Sequence, residues 1–157
     1  APRISSQEEI SAEFNAVPCK NKDRLTAVKA LFEKMGAASE DISVEKAGGV
    51  ENVLVRIAGT AAAEEKIVIG AHFDKTADGC GAIDNWTGIV SIAHIYRTMK
   101  SLKPNRTLIF IGFGEEEKGT VGSRALVDKI KKVKTGDHAG HQNVPLEDVV
   151  ILKAEII

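Results

Sequence analysis

Apolar residues recur with two different periods along the chain, and the change from one to the other outlines the predicted fold. In the first third, a helical spacing predicts a short helix over residues 5–16 and a longer one over 23–35, capped by Asp23. Alternation of apolar and polar residues then predicts two strands, 41–46 and 52–58. The first third is therefore predicted to hold two helices followed by an antiparallel hairpin.

Beyond residue 60 the apolar residues gather into continuous runs that alternate with amphipathic helices. The predicted order is strand 66–73, helix 86–102, strand 106–113, helix 121–133, loop 135–146 and strand 149–157. Continuous apolar runs are typical of parallel strands covered on both faces, so strand 66–73 is expected at the centre of a sheet. Alternating strands and helices imply right-handed parallel crossovers and predict an α/β fold with a doubly wound sheet.

Composition narrows the class of protein and of partner. A length of 157 residues, 43% of them hydrophobic and 27% charged, suits a single soluble globular domain. The net charge is -1 and no basic block stands out, which argues against nucleic acid and anionic membranes as partners. No apolar run approaches the roughly 20 residues that span a bilayer. The chain starts with Ala-Pro and stops within a predicted strand, so residues 1–157 are predicted to be the N-terminal portion of a longer domain.

The two cysteines, Cys19 and Cys80, leave two alternatives open. They form a disulfide in an oxidising compartment or remain free thiols, and their spacing does not decide between these states. Cys80 lies between His72 and Asp84, which raises the question of a metal-binding thiolate. The surrounding oxygen and imidazole groups argue against that role, because they form a harder ligand set than thiolates do.

Candidate chemistry lies at the ends of the predicted strands, where open α/β sheets place their sites. His72 and Asp74 follow one strand with their side chains pointing the same way, so the carboxylate can orient a metal-binding imidazole. Asp84 precedes a helix, and Glu115–Glu117 follow the next strand. Each group also has a simpler explanation: a surface ion pair for His72, a helix cap for Asp84 and a helix-dipole contact for the glutamates.

Taken together, these groups predict a divalent metal site. His72, Asp84, Glu117 and Glu155 come from consecutive strand ends on one edge of the predicted sheet. Glu155 alone is equally well explained as a residue on the face of an edge strand. Imidazole and carboxylate donors suit Zn²⁺, Mn²⁺ or Co²⁺, and a bridging carboxylate would hold two ions.

Three motifs carry a family resemblance. They are Ile-Gly-Ala-His-Phe-Asp (69–74), Gly-Ala-Ile-Asp-Asn-x-x-Gly (81–88) and Glu-Glu-x-Gly-x-x-Gly-Ser (116–123). In order and spacing they resemble the co-catalytic di-zinc aminopeptidases of the bacterial leucyl aminopeptidase and aminopeptidase S type, over about residues 50–130. The resemblance implies a zinc exopeptidase-like, three-layer αβα fold with a mixed, largely parallel central sheet. It also implies two Zn²⁺ ions and a substrate peptide with a free N-terminus, hydrolysed at its first peptide bond by a metal-bridging hydroxide.

The same resemblance implies a role for each residue of the first two motifs. His72 would bind the first zinc and Asp74 would orient it. Asp84 would bridge both ions, and the peptide bond that follows it would be cis.

The third motif implies the remaining roles. Glu116 would be the general base, Glu117 would bind the second zinc, and Glu115 would lie outside the site. Glu155 matches a further acidic ligand of the first zinc by its strand context. The family's final ligand, a histidine on a later loop, has no counterpart, because the chain ends before such a loop and His138 and His141 lie in a different segment, the predicted loop 135–146. The resemblance therefore implies that residues 1–157 alone bind metal poorly and turn over little or no substrate.

Two other functions stay open at this stage. One is a single-zinc enzyme related to glutaminyl cyclases, against which the presence of His72 argues, since those enzymes do without it. The other is a non-catalytic metal-binding or regulatory domain of the same fold, against which the intact Glu116 argues. The resemblance implies a secreted or periplasmic protein, with the cytoplasm as the alternative, and the oligomeric state stays open.

Overall fold

A computed structural model describes residues 1–130, 135–138 and 141–145. The helices are α1 (Gln7–Asn15), α2 (Asn21–Lys34), α3 (Thr87–Leu102) and α4 (Val121–Ile130). The strands are β1 (Ile42–Ala47), β2 (Val50–Ile57), β3 (Ala62–His72), β4 (Arg106–Phe113), β5 (Thr135–His138) and β6 (His141–Pro145). A short 3₁₀ turn, Ser39–Asp41, precedes β1, and an irregular turn, Ala82–Trp86, precedes α3.

Four strands form one mixed sheet in the order β1-β2-β4-β3. The β1–β2 and β2–β4 pairs are antiparallel, which confirms the predicted hairpin, and the β3–β4 pair is parallel. Because β3 and β4 are parallel and in register, with His72 opposite Phe113, both strands end at the same edge of the sheet. That edge carries the candidate chemistry.

Helices cover both faces of this sheet, as the predicted three-layer αβα fold requires. On one face, α2 and α3 pack on β2 and β4 around Phe32, Tyr96 and Phe110, whose rings lie 5.4–6.3 Å apart between centroids. Alternate strand residues point to opposite faces. Val53 therefore enters this core, while the neighbouring Asn52 points to α4 and donates a 3.3 Å hydrogen bond to the Gly122 carbonyl.

Strand β3 differs from its prediction as a central strand. Among the described strands it lies at the edge of the sheet, and its apolar residues 67–69 are half-buried rather than fully buried. The strand predicted at 149–157 lies outside the described residues. Among the described strands, none pairs with the outer side of β3.

The start of α2 also differs from its prediction. The helix begins at Asn21, and Asp23 lies in its first turn instead of capping it. Cys19 forms a disulfide with Cys80, and the side chain of Asn21 is bound to the main chain of Lys75. These contacts hold the chain just before and at the start of the helix, which begins two residues earlier than the pattern indicated. Asp23 still interacts favourably with the helix dipole.

The region after α4 contains strands where the sequence predicted a loop over 135–146. Thr135–His138 and His141–Pro145 form an antiparallel pair with His138 opposite His141. The loop prediction rested on glycine and histidine content and gave too little weight to the strand propensity of residues such as Thr135 and Val144. Residues 131–134, the predicted end of the preceding helix, lie outside the described residues.

No helix in the described part of the chain combines the length and the apolar character needed to cross a membrane.

Candidate metal centre

The register of β3 and β4 brings two distant segments together at the edge of the sheet. Just beyond the paired His72 and Phe113, the main-chain N–H of Phe73 donates a 2.9 Å hydrogen bond to the Phe113 carbonyl. The turn that carries Glu115–Glu117 follows directly after β4. His72 and the three glutamates are therefore neighbours in space although more than forty residues separate them along the chain.

Asp74 joins these two segments. It is buried, and its two carboxylate oxygens accept the main-chain N–H groups of Glu116 and Glu117 at 2.9 and 3.1 Å. Its Oδ1 atom also lies 3.4 Å from Nδ1 of His72. A carboxylate on one ring nitrogen directs the other nitrogen outward, which is the arrangement found in metal-binding histidines.

The environment shifts the pKa values of both Asp74 and His72 toward their charged forms. Burial alone would raise the pKa of Asp74, but the hydrogen bonds from His72 and from the main chain of Glu116 and Glu117 outweigh it and lower that pKa. Burial alone would likewise lower the pKa of His72, but the hydrogen bond and charge of Asp74, with Glu116 and Asp84 nearby, raise it. Asp74 is therefore an anion at neutral pH.

Asp84 reaches the same site from the turn before α3. Its Oδ1 atom lies 3.1 Å from Nε2 of His72, and its side chain is 73% exposed. The next residue caps the helix: Asn85 Oδ1 accepts the N–H of Gly88 at 3.0 Å. Asp84 is thus released from the capping role that is its simplest explanation. The Asp84–Asn85 peptide bond is cis, as the resemblance implied.

The strongest donor cluster consists of His72, Glu116 and Glu117, which each offer one ligand atom within 4.8 Å of the others. His72 Nε2 lies 3.8 Å from Glu116 Oε2. Burial, followed by the negative charge of Asp84, raises the pKa of Glu117, with Glu116 adding to the shift. A divalent cation would offset this repulsion, and imidazole with carboxylates is a ligand set that suits zinc. The donors present therefore fit the predicted metal.

The other residues considered from the sequence lie outside this donor cluster or outside the described residues. Glu115 has φ +54° and its carboxylate accepts a 2.8 Å hydrogen bond from Lys118, so it is engaged away from His72. Glu155 lies outside the described residues, and its role stays a prediction. His138 and His141 lie in β5 and β6.

Two features of the site were not apparent from the sequence. One is the disulfide between Cys19 and Cys80, which also removes Cys80 from consideration as a metal ligand. The other is Arg24, a fully buried charged residue within the apolar stripe of α2. A cation among helix residues that face the core was the available signal, and its meaning depended on which carbonyl groups lay opposite.

An open cleft of about 860 Å³ lies beside Asp74 and Glu117. Its walls combine apolar side chains with lysines, including Leu25, Phe73, Val50, Lys22 and Lys118. The cleft therefore opens beside Glu117, one member of the donor cluster.

The sequence profile of peptidase family M28 matches residues 52–143, more than half of the chain. The chain belongs to peptidase family M28. The match includes His72, Asp74, Asp84, Glu116 and Glu117, so every candidate site residue that the structure describes lies within it.

Curated relatives of this M28 chain include vacuolar membrane proteases of yeasts. The protein of Saccharomyces cerevisiae strain S288c is 38% identical over 108 residues, which are 68% of this chain and 11% of that protein. The protein of Kluyveromyces lactis is 26% identical over 118 residues, which are 74% of this chain and 13% of that protein. The chain thus spans little more than a tenth of the length of these relatives.

Solved structures extend the similarity to the fold. The LapA aminopeptidase of Legionella pneumophila superposes with a TM-score of 0.54 at 28% identity, over 84% of the M28 chain and 44% of that chain. A glutaminyl cyclase from an Acidobacteriales bacterium superposes with a TM-score of 0.64 at 15% identity, over 82% and 57% of the two chains. At that identity the cyclase shows a shared fold alone.

Proposed function

We propose that this chain is part of a zinc-dependent aminopeptidase, which hydrolyses the N-terminal peptide bond of a peptide. The observation that carries the proposal is the cluster of His72, Glu116 and Glu117 held together by Asp74. Membership of peptidase family M28 supports peptide hydrolysis, and similarity to the LapA aminopeptidase supports cleavage at the N-terminus.

His72, Asp84 and Glu117 are the described residues that would hold zinc, with Glu155 as a further ligand and two ions expected. When bound, zinc supplies a Lewis acid that polarises the scissile carbonyl and lowers the pKa of water. Mn²⁺ and Co²⁺ use similar donors and are the alternative metals.

Glu116 is the proposed general base. Its side chain is 38% exposed, so it is open to substrate, and its carboxylate lies 3.8 Å from Nε2 of His72. In this role it takes a proton from the attacking water and delivers it to the leaving amine. Asp74 positions it by accepting its main-chain N–H.

Substrate would enter through the cleft beside Asp74 and Glu117. Similarity to the LapA aminopeptidase supports a substrate with a free N-terminus. A peptide partner with an unblocked amine is therefore expected, and nucleic acid is not, because the net charge of the chain is -1.

The disulfide indicates the kind of cellular compartment in which the protein works. Disulfides persist in oxidising environments, so Cys19–Cys80 supports a protein that works outside the cytosol, either secreted or within an oxidising compartment. Thiol titration of the protein purified without reductant tests this point, and two reactive thiols in the native protein would contradict it.

Two measurements on the purified full-length protein test the function: its zinc content, and its activity on an aminoacyl anilide compared with an N-terminal glutaminyl peptide. We expect bound zinc and release of the free amino acid. Cyclisation of the glutaminyl peptide without amino-acid release would favour a cyclase. Bound zinc with neither activity would favour a non-catalytic metal-binding domain.

A further inference from the structure

Arg24 lies in α2, outside the segment that matches family M28, yet it contacts the loop that carries the metal donors. Its side chain is fully buried, and every hydrogen bond described for it goes to a main-chain carbonyl. Nε donates to Pro18 at 2.9 Å and Nη1 to Phe73 at 2.6 Å. Nη2 donates to both Cys80 and Gly81.

Three of these acceptors, the carbonyl groups of Phe73, Cys80 and Gly81, stand at the two ends of one loop, which runs from the end of β3 to Asp84. The Phe73 carbonyl lies between His72 and Asp74 in the chain, and the Gly81 carbonyl lies three residues before Asp84. One rigid guanidinium therefore spans the distance between the His72 end and the Asp84 end of the loop. Arginine suits this task because its planar fork fixes the angles between its N–H donors.

Two neighbours of Arg24 attach the same loop to the start of α2. The side chain of Asn21 binds Lys75 twice, donating to its carbonyl at 2.8 Å and accepting its N–H at 2.9 Å. Cys19 is bonded covalently to Cys80. We call Cys19, Asn21 and Arg24 the α2 clasp.

The loop packs against the clasp too closely to tolerate a larger residue at its far end. Gly81 has φ +53°, and a Cβ atom there would lie 2.6 Å from Cβ of Lys75 and 3.1 Å from Nη2 of Arg24. By contrast, residues 76–79 in the middle of the loop are exposed. The ends of the loop thus contact the clasp, whereas its middle is exposed to solvent.

The buried charge of Arg24 has no carboxylate hydrogen-bonded to it among the described residues. Burial lowers the pKa of Arg24, and the charge of Asp74 opposes that shift. The guanidinium also lies 5.5 Å from the ring centroid of Trp86, within the range of a cation–π contact. A buried cation whose described hydrogen bonds all go to main-chain carbonyl groups holds those groups in a fixed geometry.

We propose that Arg24 is a positioning residue for the metal centre, which sets the distance between His72 and Asp84 by binding both ends of the loop that joins them. The proposal rests on the proposed zinc site and extends it. It predicts that metal affinity depends on a side chain that touches no metal ligand.

The test compares Arg24→Met with Arg97→Met in the full-length protein. Arg97 is a matched control, since its side chain is only 9% exposed and it binds Glu9 at 2.8 Å, remote from the loop. Zn²⁺ affinity is measured by calorimetry, and the ligand field is followed by the visible spectrum of bound Co²⁺. Hydrogen exchange of the metal-free chain reports on the loop without any metal.

We expect Arg24→Met to lower Zn²⁺ affinity about 10–100-fold, to change the Co²⁺ spectrum and to speed exchange over residues 74–85. Arg97→Met should lower stability while leaving affinity and spectrum unchanged. Arg24→Lys keeps the charge but offers no planar fork, so it should restore stability more than affinity. Asn21→Ala provides a milder change of the same clasp if Arg24→Met does not fold.

The outcomes distinguish a failure of the proposed zinc site from a failure of the proposed role of Arg24. If the wild-type chain binds neither Zn²⁺ nor Co²⁺, the metal site and this inference both fall. If the wild type binds but the Arg24 and Asn21 variants bind equally well, only the inference falls. Equal losses in the Arg24 and Arg97 variants would show that Arg24 supports the fold and does not position the site.

Discussion

The Oδ1 atom of Asp74 lies 3.4 Å from Nδ1 of His72 and also accepts the main-chain N–H of Glu116. One carboxylate thus orients the imidazole and places the turn after β4. Asp74→Asn keeps the size of the side chain but puts an NH₂ group where one main-chain N–H needs an acceptor. We expect Zn²⁺ affinity to fall about 10–100-fold and the free energy of unfolding to fall by about 1–3 kcal/mol.

Calorimetry and urea unfolding measure these two effects. Asp78→Asn is the control, because Asp78 is an exposed carboxylate on the same loop. Equal Zn²⁺ affinity in the Asp74 and Asp78 variants would rule out the orienting role.

In the full-length protein, Glu116→Gln should separate catalysis from metal binding. The amide cannot accept the proton of the attacking water, so we expect turnover to fall by about 10²–10⁴-fold while the zinc content stays unchanged. Amino-acid release measures the turnover, and elemental analysis measures the zinc content. Glu115→Gln is the matched neighbour, expected to lose only its contact with Lys118. Loss of zinc from Glu116→Gln would instead identify Glu116 as a ligand, in line with its place in the donor cluster.

The Cys19–Cys80 disulfide should contribute strongly to stability, because it closes a loop with a sequence separation of 61. Replacing both cysteines by serine should lower the free energy of unfolding by about 2–4 kcal/mol, mainly through the greater freedom of the unfolded chain. Urea unfolding of the variant measures the change, and wild-type protein treated with a phosphine reductant should match it. An unchanged unfolding midpoint would argue against the disulfide.

His94 should make the metal-free protein less stable below neutral pH. It is buried in α3, its Nδ1 lies 2.6 Å from Ser5 Oγ, and burial lowers its pKa below the usual value of 6.5. The unfolded chain therefore binds a proton more readily than the folded one does. This contribution to stability is present above about pH 6.5 and is lost as the pH falls through the lower folded pKa.

Urea unfolding in EDTA between pH 8 and 5 tests this sign, and His94→Asn should flatten the slope below about pH 6.5. His72 acts in a different window: its raised pKa gives stability that is present below 6.5 and lost as the pH rises through the folded value. Equal slopes in the wild type and in His94→Asn would contradict the role of His94.

Most of the described fold could be predicted because its elements are encoded locally. Strand β4 has the predicted bounds, and α3 begins one residue from its predicted start, since apolar periodicity over ten or more residues reports directly on burial. The errors fell where other segments intervene. Helix α2 starts early because distant residues hold its first turn, and β5 pairs with β6 in a region whose composition indicated a loop.

The chemistry of the candidate site could likewise be predicted in part from the sequence. Histidine and acidic residues at strand ends indicated a metal site, and the structure brings His72 to within 4 Å of both Asp84 and Glu116. The hydrogen bonds that Asp74 accepts from the main-chain N–H groups of Glu116 and Glu117 could not be predicted. They depend on the register of β3 against β4, which no local pattern specifies.

The sequence by itself determined the periods of burial, and with them the α/β class, together with the kinds of donor at each strand end. Only the tertiary structure decided which of these groups meet, that Cys19 pairs with Cys80, and that Arg24 binds carbonyl groups at both ends of the loop between His72 and Asp84. The physical reason is one of range. Periodicity follows from burying one face of each element, whereas register, disulfide pairing and the partners of a buried cation follow from packing all elements at once.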